Sequence, residues 1–551
     1  MRLATLLAAL ALTAAPAAAQ FGAPSDPCPQ GTGEATLLGT NVQASLYNNG
    51  NLFYGNTTTN GSGYVVPLTG PGAGNSPLYA AGLWLGGRVG GEVRTAGARY
   101  SGFHLRPGRT GADGTPPTPE ACAEADRIAV ISMMEPLGSQ NEAARAWPVH
   151  LGAPVIDGDG IPGNYDVDAG DRPAIRGDVM AFWAMTDTAT DRVPRGTPSA
   201  PEFPLGVDVT VEAFAFRQLQ TTTFYRFTIT NRNSVAIEDA ALGMFFDWDL
   251  GDSGDDYVGT DTTLQMSYVY NAQETDAVYG VPPASGAVVL EGLAGVDDER
   301  QKLTASPIML KGGGLDTYGV PQTAAAYHNR LLGLFGDGLP TYEYGFGYAE
   351  VSPPIPDGTP TTQFGFTGDP VAGEFWSEEN WTGSGESSRS GDRRDLAATG
   401  PVRLEPGESA HATFALVFAQ GDDRLDSVVR LRDEAATVRR LAADGGLASS
   451  AFTNITATTP PPTEPEPEFV LTGPRPNPFA ETATVRMTGA SGARVSVSVY
   501  DVLGRRLSHV EVPDAPEADV AVGAGLSPGV YIVRVEGLQG FSETFTIVKA
   551  R

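Results

Sequence analysis

Basic residues are scarce in this 551-residue sequence: 36 Lys and Arg stand against 65 Asp and Glu, for a net charge of -29. Such a surface repels polyanions, which argues against nucleic acid bound through its phosphates. It suits divalent cations, cationic partners, or simply an acidic, well-solvated coat. Histidine is also scarce. The five histidines, at 104, 150, 328, 411 and 509, lie far apart and none sits in a His-Glu-x-x-His segment, which argues against a zinc peptidase. Long apolar runs are missing too: none reaches the ~18 to 20 residues that a membrane-spanning helix needs. The expected mature protein is therefore soluble or attached. Charged residues make up only 18%, whereas glycine (68) and proline (43) are abundant, a balance that favours short strands and turns over long surface helices. The length allows about three to four domains, and the expected fold class is all-β.

Arg2, the apolar stretch Leu3 to Leu12, and Ala17-Ala18-Ala19 before Gln20 form a secretory signal peptide, residues 1–19, that directs the chain through the Sec route into the periplasm. The only cysteines, Cys28 and Cys122, follow it. Cys28 lies too far past the apolar stretch to be a lipoprotein's acylated cysteine. In an oxidising compartment the two either pair as one long-range disulfide or stay free.

Strand and turn alternate through an N-terminal β-rich region, 20–205. There Val42 to Tyr47 and Leu52 to Tyr54 flank the hairpin signal Asn48-Asn49-Gly50-Asn51. A second region, 206–448, opens with Val207, Val209, Val211, Ala213 and Ala215 alternating with polar residues, the mark of a half-buried strand. Phe224 to Thr230, Ala240 to Trp248 and His411 to Ala419 continue a β-sandwich. The region closes on one amphipathic helix: Leu425, Val428, Leu431, Ala435, Val438 and Ala442 recur at helical spacing between Asp422-Asp423 and Gly445-Gly446. Residues 449–468, rich in Pro, Glu and Thr, form a semi-rigid linker.

Closely spaced strands return over 469–551 and predict a small immunoglobulin-like sandwich. Pro476-Asn477-Pro478-Phe479 stands near its start. Val499-Tyr500-Asp501-Val502-Leu503-Gly504 is central, and Gly529-Val530-Tyr531 begins a late strand. Asn-Pro is expected to fix an extended approach to the first strand, and Asp501 to Gly504 to close a hairpin. In this order the motifs resemble the type A sorting domain of the type IX secretion system. That resemblance implies recognition by the outer-membrane translocon, removal of the domain, and cargo that is released or attached to surface lipopolysaccharide. It makes everything before the linker a passenger, secreted or held on the outer cell surface. Phrases such as Ala81-Gly82-Leu83-Trp84-Leu85-Gly86-Gly87 and Asp247-Trp248-Asp249-Leu250-Gly251 are similar to segments of other secreted proteins with this sorting domain, and they imply no activity.

Two acidic clusters are candidate calcium sites. Asp157, Asp159, Asp166 and Asp168, with Asp171 and Asp178 beyond, lie on a Gly-bent stretch that resembles a fragment of a thrombospondin type 3 repeat. The EF-hand pattern does not fit: Pro162 stands where that loop needs glycine, and Asp168 replaces the closing Glu. The second cluster is Asp247, Asp249, Asp252, Asp255 and Asp256, whose mutual repulsion calls for a cation or basic neighbours. Each reads alternatively as a solvated acidic turn. Paired acids for glycoside hydrolysis are a further reading of the second cluster. Gly251-Asp252-Ser253-Gly254 imitates a protease nucleophile segment without the rest of its triad. Aromatics from Tyr342 to Trp381, among them Tyr344, Phe346, Tyr348, Phe364, Phe366, Phe375 and Trp376, either fill a core or stack on sugar rings. No nucleophile-base set can be assembled. The expected passenger is a non-enzymatic adhesin, binding or coat protein with a glycan or protein ligand, stabilised by calcium; the alternative is a secreted hydrolase acting on polysaccharide or protein.

Overall fold

The computed structural model describes residues 28–550 except 57–60, 99, 101–103, 112, 134–136, 139, 190–203, 294–301, 311–318, 344–357, 448–469, 489–494, 502–504, 513–516 and 538–541. The expected signal peptide and linker lie outside the described residues. The chain forms two compact units, Met1–Ile455 and Thr456–Arg551.

The larger unit is built on two nine-stranded sheets. The first runs Glu34–Leu38, Gln43–Tyr47, Asn51–Leu52, Leu78–Val89, Ile237–Trp248, Arg393–Leu404 and Ile308–Leu310, with Tyr64–Val65 and Glu92–Gly97 attached. The second runs Ala129–Ser132, Val179–Thr186, Val207–Ala215, Thr223–Asn231, Ser409–Ala419, Ala284–Glu291, Met266–Asn271 and Asp256–Asp261, with Arg106–Pro107 attached. Between the sheets lies one core: Leu83, Leu85, Leu242, Met244, Phe246 and Trp248 from the first meet Val209, Val211, Phe227, Val289, Phe414 and Leu416 from the second.

This corrects the division at 205/206. Leu83 pairs with Met244, and Trp183 with Val211, so strands from both regions alternate within each sheet. Period-two alternation shows that a strand has an apolar face but not which strand it pairs with, and the N-terminal strands supply edges and centres that the later ones need.

A second correction concerns the outer faces. Four helices stand among the described residues where one was expected: α1 (Pro119–Ala125), α2 (Glu142–Arg145), α3 (Ala324–Leu331) and α4 (Arg424–Ala443). On α4, Val428, Leu431, Ala435 and Val438 bury against Phe214, Phe224, Tyr268 and Val417 on the outer face of the second sheet. Tyr327 and Leu331 of α3 cover Trp84, Phe245 and Leu396 on the outer face of the first. Both sheets are thereby covered on two sides, and Val207–Ala215 is buried on both faces, with Asp208 only 1% exposed.

The smaller unit is a seven-stranded sandwich: Val470–Arg475, Ala483–Thr488 and Glu517–Val522 face a sheet of Arg506–Val512, Val495–Asp501, Gly529–Gly537 and Ser542–Lys549. Its core holds Val485, Met487, Val497, Val499, Val533 and Ile547. The passenger with its sandwich sheets and the immunoglobulin-like C-terminal unit together make an all-β architecture.

Candidate functional site

In the smaller unit, Pro476 to Phe479 follow the first strand instead of leading into it. Asn477 donates from Nδ2 to the Thr546 carbonyl at 2.8 Å and accepts from the Val548 amide at 2.8 Å. Phe479 exchanges backbone hydrogen bonds with Val548 and Ala550 and is 1% exposed. Its ring lies where a Cβ on Gly523 would stand, and the Lys549 ammonium sits 5.0 Å from its centroid. Pro476-Asn477-Pro478-Phe479 therefore clips the last strand in place. Asp501 accepts from the Arg505 amide at 3.0 Å and pairs with the Arg505 side chain at 2.7 Å, closing the turn after Tyr500. Gly504 lies outside the described residues. Gly529 opens the strand in which the Tyr531 hydroxyl donates to the Ser527 carbonyl at 2.8 Å, like the tyrosine corner of immunoglobulin-like sandwiches.

In the larger unit Cys28 and Cys122 form a disulfide with their Cα atoms 5.8 Å apart. Among the described residues, the carboxylates of Asp157, Asp159 and Asp171 converge within 4.8 Å of one another. Asp171 was a neighbour in the sequence reading and is central here: its oxygens accept from the Gly158 and Asp166 amides, both at 2.8 Å, which hold its carboxyl below the usual range. Asp166 and Asp168 stand apart from that group. Asp166 accepts from the Asp168 and Ala169 amides, and Asp168 is ion-paired to Arg145 at 2.6 Å.

The second cluster separates along its strand. Asp247 is neutralised: its oxygens meet Arg394 at 2.8 Å and the Tyr100 hydroxyl at 2.6 Å. Burial raises its carboxyl and Arg394 opposes that shift. Asp252 is exposed and accepts from the Gly254 amide. Asp255, Asp256 and Asp276 are buried, and Asp249 lies close enough to act on Asp256. Asp276, which carried no recognisable pattern, anchors its own turn by accepting from the Val278 and Tyr279 amides at 2.7 and 2.6 Å.

The histidines have other partners. His104 accepts from the Gly97 amide, His328 meets the Asp239 carbonyl, His509 meets Ser498, and His150 and His411 stand near Glu124 and Glu291. None of these contacts is with Ser253 of the protease-like segment.

A cavity of about 750 Å³ opens beside the aromatic tract, lined by Leu310, Phe366, Trp381, Ser387, Ser388, Arg389 and the segment Ser390–Arg393. Phe366 and Trp376 are core residues, with Trp381 half-buried against Phe366 at 5.7 Å. Tyr344, Phe346 and Tyr348 lie outside the described residues. Among the described residues two carboxylates line the cavity, and both are paired. Glu378 is 1% exposed; Arg393 and Ser388 meet its Oε1 at 2.6 and 2.8 Å, and the Val258 amide meets its Oε2 at 2.6 Å. Asp392 pairs with Arg394 at 2.9 Å.

The C-terminal geometry agrees with the comparisons. Residues 476–549 match the family described as the secretion system C-terminal sorting domain. The chain is a cargo protein of the type IX secretion system, destined for the outer cell surface or the extracellular space. No helix among the described residues is long and apolar enough to cross a membrane. No curated protein matches the chain. A solved structure described as a polysaccharide lyase is 10% identical, with 72% of this chain and 38% of that one covered and a TM-score of 0.20. The chain thus spans under two fifths of that structure's length, and a likeness so slight bears on neither fold nor activity.

Proposed function

We propose that the passenger is a non-enzymatic surface protein that binds a glycan in the Trp381 cavity. The observation that carries this reading is the state of the cavity's carboxylates. A glycosidase needs one acid free to give a proton and one free to take it or attack. Here Glu378 is held by Arg393, Ser388 and the Val258 amide, and Asp392 by Arg394. What faces the cavity is a half-buried indole, three serines and Arg389, which suit an apolar sugar face and its hydroxyls. The Asp157–Asp159–Asp171 group fits calcium, which takes six to eight oxygens from carboxylates, carbonyls and water, and a cation there would stiffen the exposed loop.

Binding of the full chain to immobilised bacterial and algal polysaccharides tests the reading. Trp381→Ala is expected to weaken binding by roughly tenfold or more, equivalent to about 1.4 kcal/mol. Release of new sugar ends from those polysaccharides by the wild-type protein would overturn it.

A further inference from the structure

Resting on the glycan reading of the Trp381 cavity, we propose that its ligand is an anionic glycan whose carboxylate or sulfate group is taken by Arg389. The segment from Ser387 to Arg393 forms one wall of that cavity, and its backbone is fixed almost residue by residue. The Ser388 amide donates to the Glu378 carbonyl at 2.8 Å, and the Ser388 carbonyl accepts from the Tyr257 hydroxyl at 2.6 Å. The Arg389 carbonyl accepts from the Arg393 guanidinium at 2.6 Å. Beyond it, the Ser390 hydroxyl donates to the Gly254 carbonyl at 3.1 Å and the Gly391 amide to the Asp256 carbonyl at 3.3 Å.

On this pinned backbone the Arg389 side chain is exposed and, among the described residues, makes no hydrogen bond or ion pair. The arginines around it are all committed. Arg393 meets Glu378 at 2.6 Å, Arg394 meets Asp247 and Asp392 at 2.8 and 2.9 Å, and Arg424 meets Glu274 at 2.7 Å and also Glu379. The lining carboxylates, Glu378 and Asp392, are thus offset by Arg393 and Arg394, and Arg389 is left as the unmatched charge of the wall. A guanidinium presents paired N–H donors at the spacing of two carboxylate or sulfate oxygens. The Trp381 indole offers an apolar face to charged and neutral sugars alike, so discrimination between them falls to Arg389.

A neutral glycan is the competing ligand. It would use Trp381 and the serine hydroxyls and gain nothing from the guanidinium charge, whereas an anionic one makes a charge-assisted contact roughly twice as strong as a neutral hydrogen bond. The chain's net charge of -29 opposes any anion at long range. At physiological salt, however, exposed charges more than about 8 Å apart are largely screened, and a guanidinium in direct contact is not.

The test compares binding of the full chain, at physiological salt, to a panel of polysaccharides that includes a polyuronate, a sulfated galactan and a neutral galactan. Wild-type protein is expected to bind the polyuronate or the sulfated galactan about tenfold or more tightly than the neutral polymer. The tighter of the two identifies the acid group. Arg389→Gln is expected to lose that preference, to bind the neutral galactan as wild type does, and to melt at the same temperature, since its side chain holds nothing in the fold. Arg217→Gln, which takes the same charge from an exposed turn, is expected to keep the preference. The proposal is overturned if wild type binds the neutral galactan as tightly as both anionic polymers, if Arg389→Gln keeps the preference, or if Arg217→Gln loses it equally. Each of those results leaves the glycan reading standing. Binding to no polysaccharide of the panel overturns that reading and this proposal with it.

Discussion

Asp395 and Glu378 are both buried acids, yet what stands beside them differs. Glu378 has Arg393, whereas Asp395 has only neutral donors, the Trp248 indole at 2.7 Å and the Ser267 hydroxyl, and burial pushes its carboxyl up to about 7. The folded state therefore holds this proton more tightly than the unfolded chain does. Its contribution to stability is complete below pH 4 or so and is lost as pH rises towards 7, by at most about 1.4 kcal/mol per pH unit. Asp395→Asn keeps the acceptor for Trp248 and removes the titration. Urea midpoints of this variant are expected to exceed wild type at pH 8 and to converge with it near pH 4.5. Burial at 1% is what makes this residue matter, and its place in the sequence, Arg393-Arg394-Asp395, suggests instead a solvated charge run.

Helix α4 was legible almost residue by residue, because a 3.6-residue period and an N-cap are local properties. Asp423 accepts from the Leu425 and Asp426 amides at 2.9 and 2.8 Å, and Leu431 is fully buried. Asp423→Ala is expected to cost about 1 kcal/mol for the lost cap. Leu431→Ala should cost about 2 to 5 kcal/mol for the cavity it opens, both read by chemical denaturation. The Pro476–Phe479 segment shows where local reading fails. Asn-Pro does favour extended backbone, but the partner that gives the motif its role is Val548, 71 residues away from Asn477. Phe479→Ala is expected to destabilise the C-terminal unit by about 3 to 5 kcal/mol, visible as loss of its own melting transition while the larger unit's is unchanged.

At the scale of the molecule, the two units divide the work of address and cargo. Deleting residues 469–551 in the native host is expected to strand the passenger in the periplasm, as measured by surface labelling; normal surface display would contradict the sorting role. The passenger without that unit should still unfold cooperatively, because both of its nine-stranded sheets close within Met1–Ile455.

The sequence by itself determined the β class, helix α4, the sorting domain and the places where carboxylates crowd, since each depends on composition, local period or a short motif. Tertiary structure decided that regions 20–205 and 206–448 share two sheets, that Asp247 belongs to Arg394, that Asp171, named only beyond the first cluster, stands at its centre, and that Asp276 shares the Asn271 amide with Asp255. The physical reason is the same in each case. Strand pairing and burial couple residues far apart in the chain, and a carboxylate becomes a site, a salt bridge or a turn cap according to which distant partner the fold places beside it.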